Sequence, residues 1–371
     1  MTTETGESIR FDLPGRLGDP SRALKDDPRV DPRLVAALAP FGLDGDQPAP
    51  PVSPSSSRQE LLAFGQSAED GFGTVFSALF TDLPPVTGVE RRTVTIPGPD
   101  GNEVVVFLHR PEGARGVLPG LLHFHGGGGV ILRAADSCYA RWRDELALAG
   151  LVVAGVEFRN AAASLGVHPY PAGLSDCAAA VRWMADNKGE LGVDTVVISG
   201  ESGGGNLALA VALKAKQEGW LDEIDGVYAM CPMIAGTWRK HPEFPSQREN
   251  DDYFISCALL SIMGALYDPA GAHADEPTCW PSRASDTDLA GLPPHVISVN
   301  ELDPLRDEGL AYQRQLVTAG VSAVGRTVNG TVHSADVFFR KAIPDIYAAT
   351  IRDISGFAKQ FSRSVEKDER K

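Results

Sequence analysis

A chain of 371 residues with 43% hydrophobic content can bury a large core, and it exceeds a single α/β layer system by enough for a modest second element. A formal net charge of −15 argues against nucleic acid or an anionic membrane as partner, since either would favour a basic patch, and no run approaches the roughly 18 apolar residues of a membrane span. Five cysteines, at 138, 177, 231, 257 and 279, stand singly and in odd number, which argues against a disulfide framework or a zinc site and reads as reduced, buried thiols.

Residues 1–57 are rich in Pro, Asp and Ser and read as an irregular arm over the body. The polar, acidic start from Met1 to Asp12 has no apolar stretch of the kind a signal peptide carries, so the expected location is cytoplasmic. Between Arg58 and Leu79, Leu61, Leu62, Phe64, Phe72, Val75, Phe76 and Leu79 recur at helical spacing, and such a stripe needs a surface to cover. Strands follow at 90–96 and 103–109, separated by the turn signal Pro97-Gly98-Pro99-Asp100-Gly101. Apolar runs at 118–124, 151–158, 194–199, 226–232, 294–300 and 322–328 then alternate with helical patterns, as a parallel βαβ sheet requires. The expected fold is therefore α/β, an eight-stranded and mostly parallel sheet flanked by helices. One long gap, from 234 to 290, is apolar without reading as strand, and we expect it to form a helical cap. Most of its aromatics should pack cap against core, while Phe254 and Met263 are the candidates for lining a substrate pocket. The resulting division is 1–85 for arm and cap helices, 86–233 and 291–371 for the two parts of the core, and 234–290 for the cap insertion.

Two of these strands break into glycine. Leu121 to Phe124 runs into His125-Gly126-Gly127-Gly128-Gly129, where side-chain-free residues let backbone N–H groups converge on one point. Gly127 and Gly128, with Gly203 from a second loop, are the candidate donors to an oxyanion, and His125 is expected to tie the loop down through its ring nitrogens. A phosphate cradle is the competing reading, but neither Gly-Lys-Ser/Thr nor Gly-x-Gly-x-x-Gly is present here. The second break, Gly200-Glu201-Ser202-Gly203-Gly204, is the one Gly-x-Ser-x-Gly in the chain and lies between a β-branched run and an Ala/Leu-rich helical run. That is the context of a nucleophile elbow, with Ser202 projecting above the sheet.

A nucleophilic serine needs a base, which in α/β-hydrolases follows serine and acid in chain order. Of eight histidines, His333 follows a candidate acid loop beyond the last apolar strands. Glu301, Asp303, Asp307 and Glu308 compete for the acid. Asp303 is nearest the strand end among the aspartates and is held by Pro304, whereas Asp307 and Glu308 read as first-turn helix charges. Two further matches carry little: Asn329-Gly330-Thr331 has meaning as a glycosylation acceptor only in a secreted protein, and Ser364-Val365-Glu366-Lys367 lies in a charged tail.

His-Gly-Gly-Gly at 125–128, Gly-x-Ser-x-Gly at 200–204 and Asp-Pro-Leu at 303–305 resemble the hormone-sensitive-lipase family of carboxylic ester hydrolases. The resemblance implies an α/β-hydrolase fold and a catalytic triad of Ser202, Asp303 and His333. The chain departs from the family pattern at Gly129 and in Phe158-Arg159-Asn160-Ala161, which stands where the family has Tyr-Arg-Leu-Ala-Pro-Glu-His. The expected activity is hydrolysis of short or medium esters or of lactones, a macrolactone among them, through an acyl-enzyme, with no cofactor and no metal. Amidase chemistry uses the same machinery, and a non-catalytic small-molecule receptor is the alternative on the same fold. The expected partner is a small-molecule ester substrate, with no nucleic acid and no membrane, and with a homodimer left open.

Overall fold

Runs of apolar residues buried on both faces become the centre of one sheet, because only helices packed above and below can keep them dry. Among the described residues the strands are β1 (Val89–Pro97), β2 (Glu103–Pro111), β3 (Leu118–Phe124), β4 (Val152–Glu157), β5 (Val193–Glu201), β6 (Gly226–Met230), β7 (His295–Leu302) and β8 (Ala323–Val332). The computed structural model describes residues 15–239 and 242–362; Met1 to Asp12, His241 and the Ser364 to Lys367 match lie outside them. Strand order is β1-β2-β4-β3-β5-β6-β7-β8, with β2 antiparallel to both its neighbours and the remaining pairs parallel. The chain leaves β3 for β4 on one side and returns to β5 on the other, so β3 and β5 flank the switch point where α/β sheets bind ligands.

The helices used below are α1 (Pro32–Leu38), α2 (Arg58–Phe80), α3 (Ser137–Leu148), α4 (Ala172–Asp186), α5 (Gly203–Glu218), α6 (Cys257–Tyr267), α7 (Arg306–Thr318) and α8 (Pro344–Lys359). α3 and α8 pack together on one face of the sheet, and α4, α5 and α7 cover the other. α5 is buried without interruption from Gly203 to Leu213, the burial of a central helix, and its Ala/Leu composition fits that position. No helix among the described residues is long and apolar enough to cross a membrane.

Two segments differ from their sequence reading. The arm is not irregular throughout: α1 starts on Asp31, whose side chain accepts the Arg33 N–H, with Pro32 at its first turn, and Leu24, Leu34 and Leu38 are fully buried. The 234–290 insertion is less helical than expected, because among its described residues α6 with its Ser256 cap is the one helix longer than a single turn. α2 begins with a capping box between Ser57 and Glu60. Mid-helix, Glu69 accepts the N–H groups of Leu132 (2.9 Å) and Ser164 (3.3 Å), which fixes α2 across the loop that follows β3.

The arm is clamped to the body by charge. Arg29 binds both oxygens of Asp27 (3.0 and 2.8 Å) and reaches Glu249, which also accepts from Arg306 at 2.8 Å. Next to it, Asn250 donates to the carbonyls of Glu301 and Asp303, both at 3.0 Å, so the arm braces the loop after β7. Asp27 and Glu249 are nearly dry, and removing their shared cation leaves two buried carboxylates short of a partner. Arg29→Ala is expected to lower unfolding free energy in urea by about 3 kcal/mol or more. Arg92→Ala, which breaks an exposed pair with Glu190, should cost about 1 kcal/mol or less in the same measurement.

Candidate active site

β3 and β5 run parallel with Phe124 opposite Gly200, so both strands release their glycines at the same level. The fit is backbone against backbone. A Cβ at Gly204 would lie 2.0 Å from the Phe124 carbonyl oxygen, one at Gly200 would lie 2.3 Å from the Gly204 oxygen, and one at Gly203 would lie 2.5 Å from the Gly128 nitrogen. Ser202 sits between them at φ 57°, ψ −120°, a conformation that costs a non-glycine residue on the order of 1–3 kcal/mol. Its N–H donates to the Met230 carbonyl (2.9 Å), and its own carbonyl accepts from Asn206 (3.0 Å) and Met233 (3.1 Å). The surroundings thus impose the turn. Facing it, Gly127, Gly128 and Gly129 all have positive φ (91°, 70° and 70°), and the Gly128 backbone abuts Gly203, which brings together the three expected oxyanion donors.

Beneath this loop lies a carboxylate for which the sequence motif gave no signal. Glu201 is fully buried; its Oε1 accepts the Gly126 N–H (2.5 Å) and the Tyr139 hydroxyl (2.7 Å), and its Oε2 is 3.0 Å from His123 Nε2. The residue before the serine therefore holds the first glycine of the facing loop. His125 meets the loop through one of its ring nitrogens, Nδ1 to the Gly126 oxygen at 2.9 Å, and its ring stacks on Phe158 with 4.1 Å between centroids. Burial depresses its pKa to about 4, so the ring is neutral.

Acid and histidine meet through a register shift. β7 and β8 slip between Asn300 and Leu302, after which Leu302 pairs with Val332, so Asp303 and His333 leave adjacent strand ends together. β8 extends past the apolar run 322–328 through the polar stretch 329–332, and Thr331 is buried. Asp303 Oδ2 is 2.7 Å from His333 Nδ1, and Oδ1 accepts the Leu305 N–H at 2.9 Å. Of the other three carboxylates, Glu301 accepts the Gly330 N–H (2.8 Å) and Asp307 the Ser246 N–H (2.7 Å). Glu308 is more than a helix-end charge. It is buried and accepts from Ile234, Ala235 and the Trp238 indole, anchoring the start of the insertion, and burial pushes its carboxyl up to about 8. Asn300 completes the frame by accepting the Ser334 N–H and donating to Thr331 and Asp336.

Burial disfavours the imidazolium of His333, but the charge of Asp303 and the contact with Cys231 outweigh it, so its pKa is raised well above the ordinary value. Donor atoms of Cys231, Asp303 and His333 lie within 4.8 Å of one another, the one such group among the described residues that could hold a metal ion. Asp303 is already committed to His333 and Leu305, so that arrangement serves the histidine. Ser202 and His333 open onto one pocket of about 550 Å³, solvent at its mouth included, whose other walls are almost wholly apolar and include Phe72, Phe254 and Met263. Among the described residues no hydrogen bond joins Ser202 Oγ to His333, and in enzymes such nucleophile–base contacts often become short only in the substrate complex.

Residues 121–337, more than half of the chain, match the family described as alpha/beta hydrolase fold. The chain belongs to that family. Among solved alpha/beta hydrolases, brefeldin A esterase, a bacterial homologue of human hormone-sensitive lipase, is 48% identical with a TM-score of 0.92, covering 94% of this chain and 99% of that one. Carboxylesterase NlhH of Mycobacterium tuberculosis is 32% identical over 284 residues, 75% of this chain and 84% of its own length. A gibberellin receptor of Arabidopsis thaliana, GID1B, is more distant, at 28% over 221 residues, 58% of this chain and 59% of its own. The hormone-sensitive-lipase resemblance read from the motifs agrees with these relatives.

Since a base must be neutral to take a proton, kcat/KM should fall as pH drops through the His333 pKa. The Asp303 charge raises that pKa, so the acid limb is expected to have its midpoint above 6.5, and Asp303→Asn should move it down. Asp303→Asn should also lower kcat by roughly 10⁴, against less than about tenfold for Asp307→Asn; the reverse ranking would show that the acid is misassigned.

Proposed function

We propose that Ser202 attacks the carbonyl carbon of a small-molecule ester while His333 takes the hydroxyl proton and Asp303 orients the ring and stabilises its cation. The N–H groups of Gly127, Gly128 and Gly203 hold the oxyanion of the tetrahedral intermediate. Collapse breaks the ester C–O bond, the departing alcohol takes the proton from His333, and water then releases the acyl group by the same route. The chain is a serine ester hydrolase of the carboxylesterase type. The observation that carries the residue assignment is the Asp303–His333 contact of 2.7 Å at the wall of the pocket into which the strained Ser202 opens. A receptor would have no use for that contact or for the strain at Ser202, which favours hydrolase over the receptor alternative.

The substrate reading is short or medium acyl esters and compact lactones, supported by a nearly apolar pocket roofed by α2 and α6. The likeness to brefeldin A esterase makes opening of a macrolactone a specific case of the same reaction. The division into arm and cap helices (1–85), core (86–233 and 291–371) and insertion (234–290) belongs to this reading, supported by the position of those two helices over Ser202. A cytoplasmic location does too, supported by five buried cysteine thiols.

Ser202→Ala is expected to lower kcat on p-nitrophenyl acetate by on the order of 10⁶ with far-UV circular dichroism unchanged. Organophosphate should label Ser202 alone. Activity of the variant within tenfold of wild type would overturn the assignment. Across a p-nitrophenyl series, kcat/KM should peak at short or medium chains; a steady rise from acetate to palmitate, or a jump at the solubility limit of the substrate, contradicts the substrate reading.

A further inference from the structure

A second apolar pocket lies directly outside the first. It has about 990 Å³ of empty volume, solvent included, and runs between the arm (Phe41, Leu43, residues 47–51), the outer side of α2 (Phe64, Val75) and the start of α6. The two pockets share one wall, made of Phe72, Phe254, Ile255 and Leu259.

The rings in and beside that wall are held unequally. Phe76 stacks on Phe338 at 4.0 Å between centroids, and Phe254 meets the edge of Phe339 at 5.8 Å, so the core braces both from behind. Phe72 meets these two rings, at 5.7 Å from Phe76 and 6.4 Å from Phe254, and among the described residues has no ring contact with the core behind them; it is half-buried where they are buried. Its backbone is softened as well. Phe72 stands between Gly71 and Gly73 in mid-helix, and a Cβ at either glycine would meet nothing within 4 Å. Packing therefore does not require these glycines, in contrast to Gly65 of the same helix, where a Cβ would lie 3.1 Å from that of Ala162. Two glycines in a helix interior lower its local stability, which lets the Phe72 turn give way while the rest of α2 stays fixed through Glu69.

We propose that the outer pocket is a second binding site, for the distal hydrocarbon of the ester held at Ser202, and that Phe72 is the gate between the two. The proposal rests on the ester-hydrolase reading above. A short substrate fits in the inner pocket with the gate closed, whereas the far end of a medium chain or ring displaces Phe72 and passes between the arm and α6.

The test compares p-nitrophenyl acetate with octanoate, and ethyl acetate with octyl acetate, so that both sides of the ester bond are probed. Phe72→Ala should raise the long-to-short ratio of kcat/KM about tenfold in one of the two series, and Phe72→Trp should lower it by a similar factor. Phe64→Ser, outside the shared wall, should lower the same ratio. The double variant Gly71→Ala/Gly73→Ala should raise Tm and lower the ratio together, a combination that simple damage to the fold cannot produce. Unchanged ratios in both series for Phe72→Ala and for the glycine variant would overturn the gate while leaving the hydrolase in place. If the wild type hydrolyses none of the four esters, the ester-hydrolase reading fails, and the gate with it.

Discussion

Everything in the site depends on one steric constraint, the contact of two backbones at the switch point of the sheet. The elbow at Ser202 and the glycine loop after β3 approach until a single added Cβ at Gly203 or Gly204 would lie within 2.5 Å of the opposite main chain. The constraint holds Ser202 at positive φ and sets the Gly128 and Gly203 backbones directly against each other. A looser junction could hold the same residues without aligning them, and preorganised donors act only when they need not move during the reaction.

Around this contact, buried carboxylates work as anchors and not as surface charges. Glu201 holds Gly126, Glu69 holds the loop beyond the glycines, Glu308 holds the start of the insertion, and Asp303 holds both its own turn and His333. Each accepts backbone N–H groups or a positioned side chain, which satisfies its buried oxygens, although at Glu308 burial still outweighs those bonds and raises the carboxyl to about 8. The acid side of the site is braced from further away, because Arg29 in the arm leads through Glu249 and Asn250 to the carbonyl of Asp303. A segment remote in sequence thereby enters the acid loop.

Above the sheet, stability and access pull in opposite directions. α2 is anchored by its capping box and by Glu69, yet it carries glycines beside Phe72 that its packing does not require. α6 completes the roof from within the insertion, and Phe76 of α2 and Phe254, just before α6, rest on Phe338 and Phe339 of the core. A roof of this kind leaves almost only apolar side chains facing Ser202, apart from the site's own polar groups.

The sequence by itself determined whatever depends on local pattern. The positions of the strands, the glycine break at 126–129, the Gly-x-Ser-x-Gly turn and the helix read between Arg58 and Leu79 follow from periodicity and from the conformational freedom of glycine, which act over a few residues. Even the arm helix was locally encoded, in Asp31 and Pro32, although the Pro-rich composition around it masked that signal. Only the tertiary structure decided which groups meet. The slip between β7 and β8 sets Asp303 beside His333 and carries β8 beyond the apolar run 322–328, and such a slip depends on cross-strand packing. Glu201, Glu308 and Arg29 look like ordinary charges in sequence, because burial and partner decide what a charge does, and both are set by residues tens to hundreds of positions away.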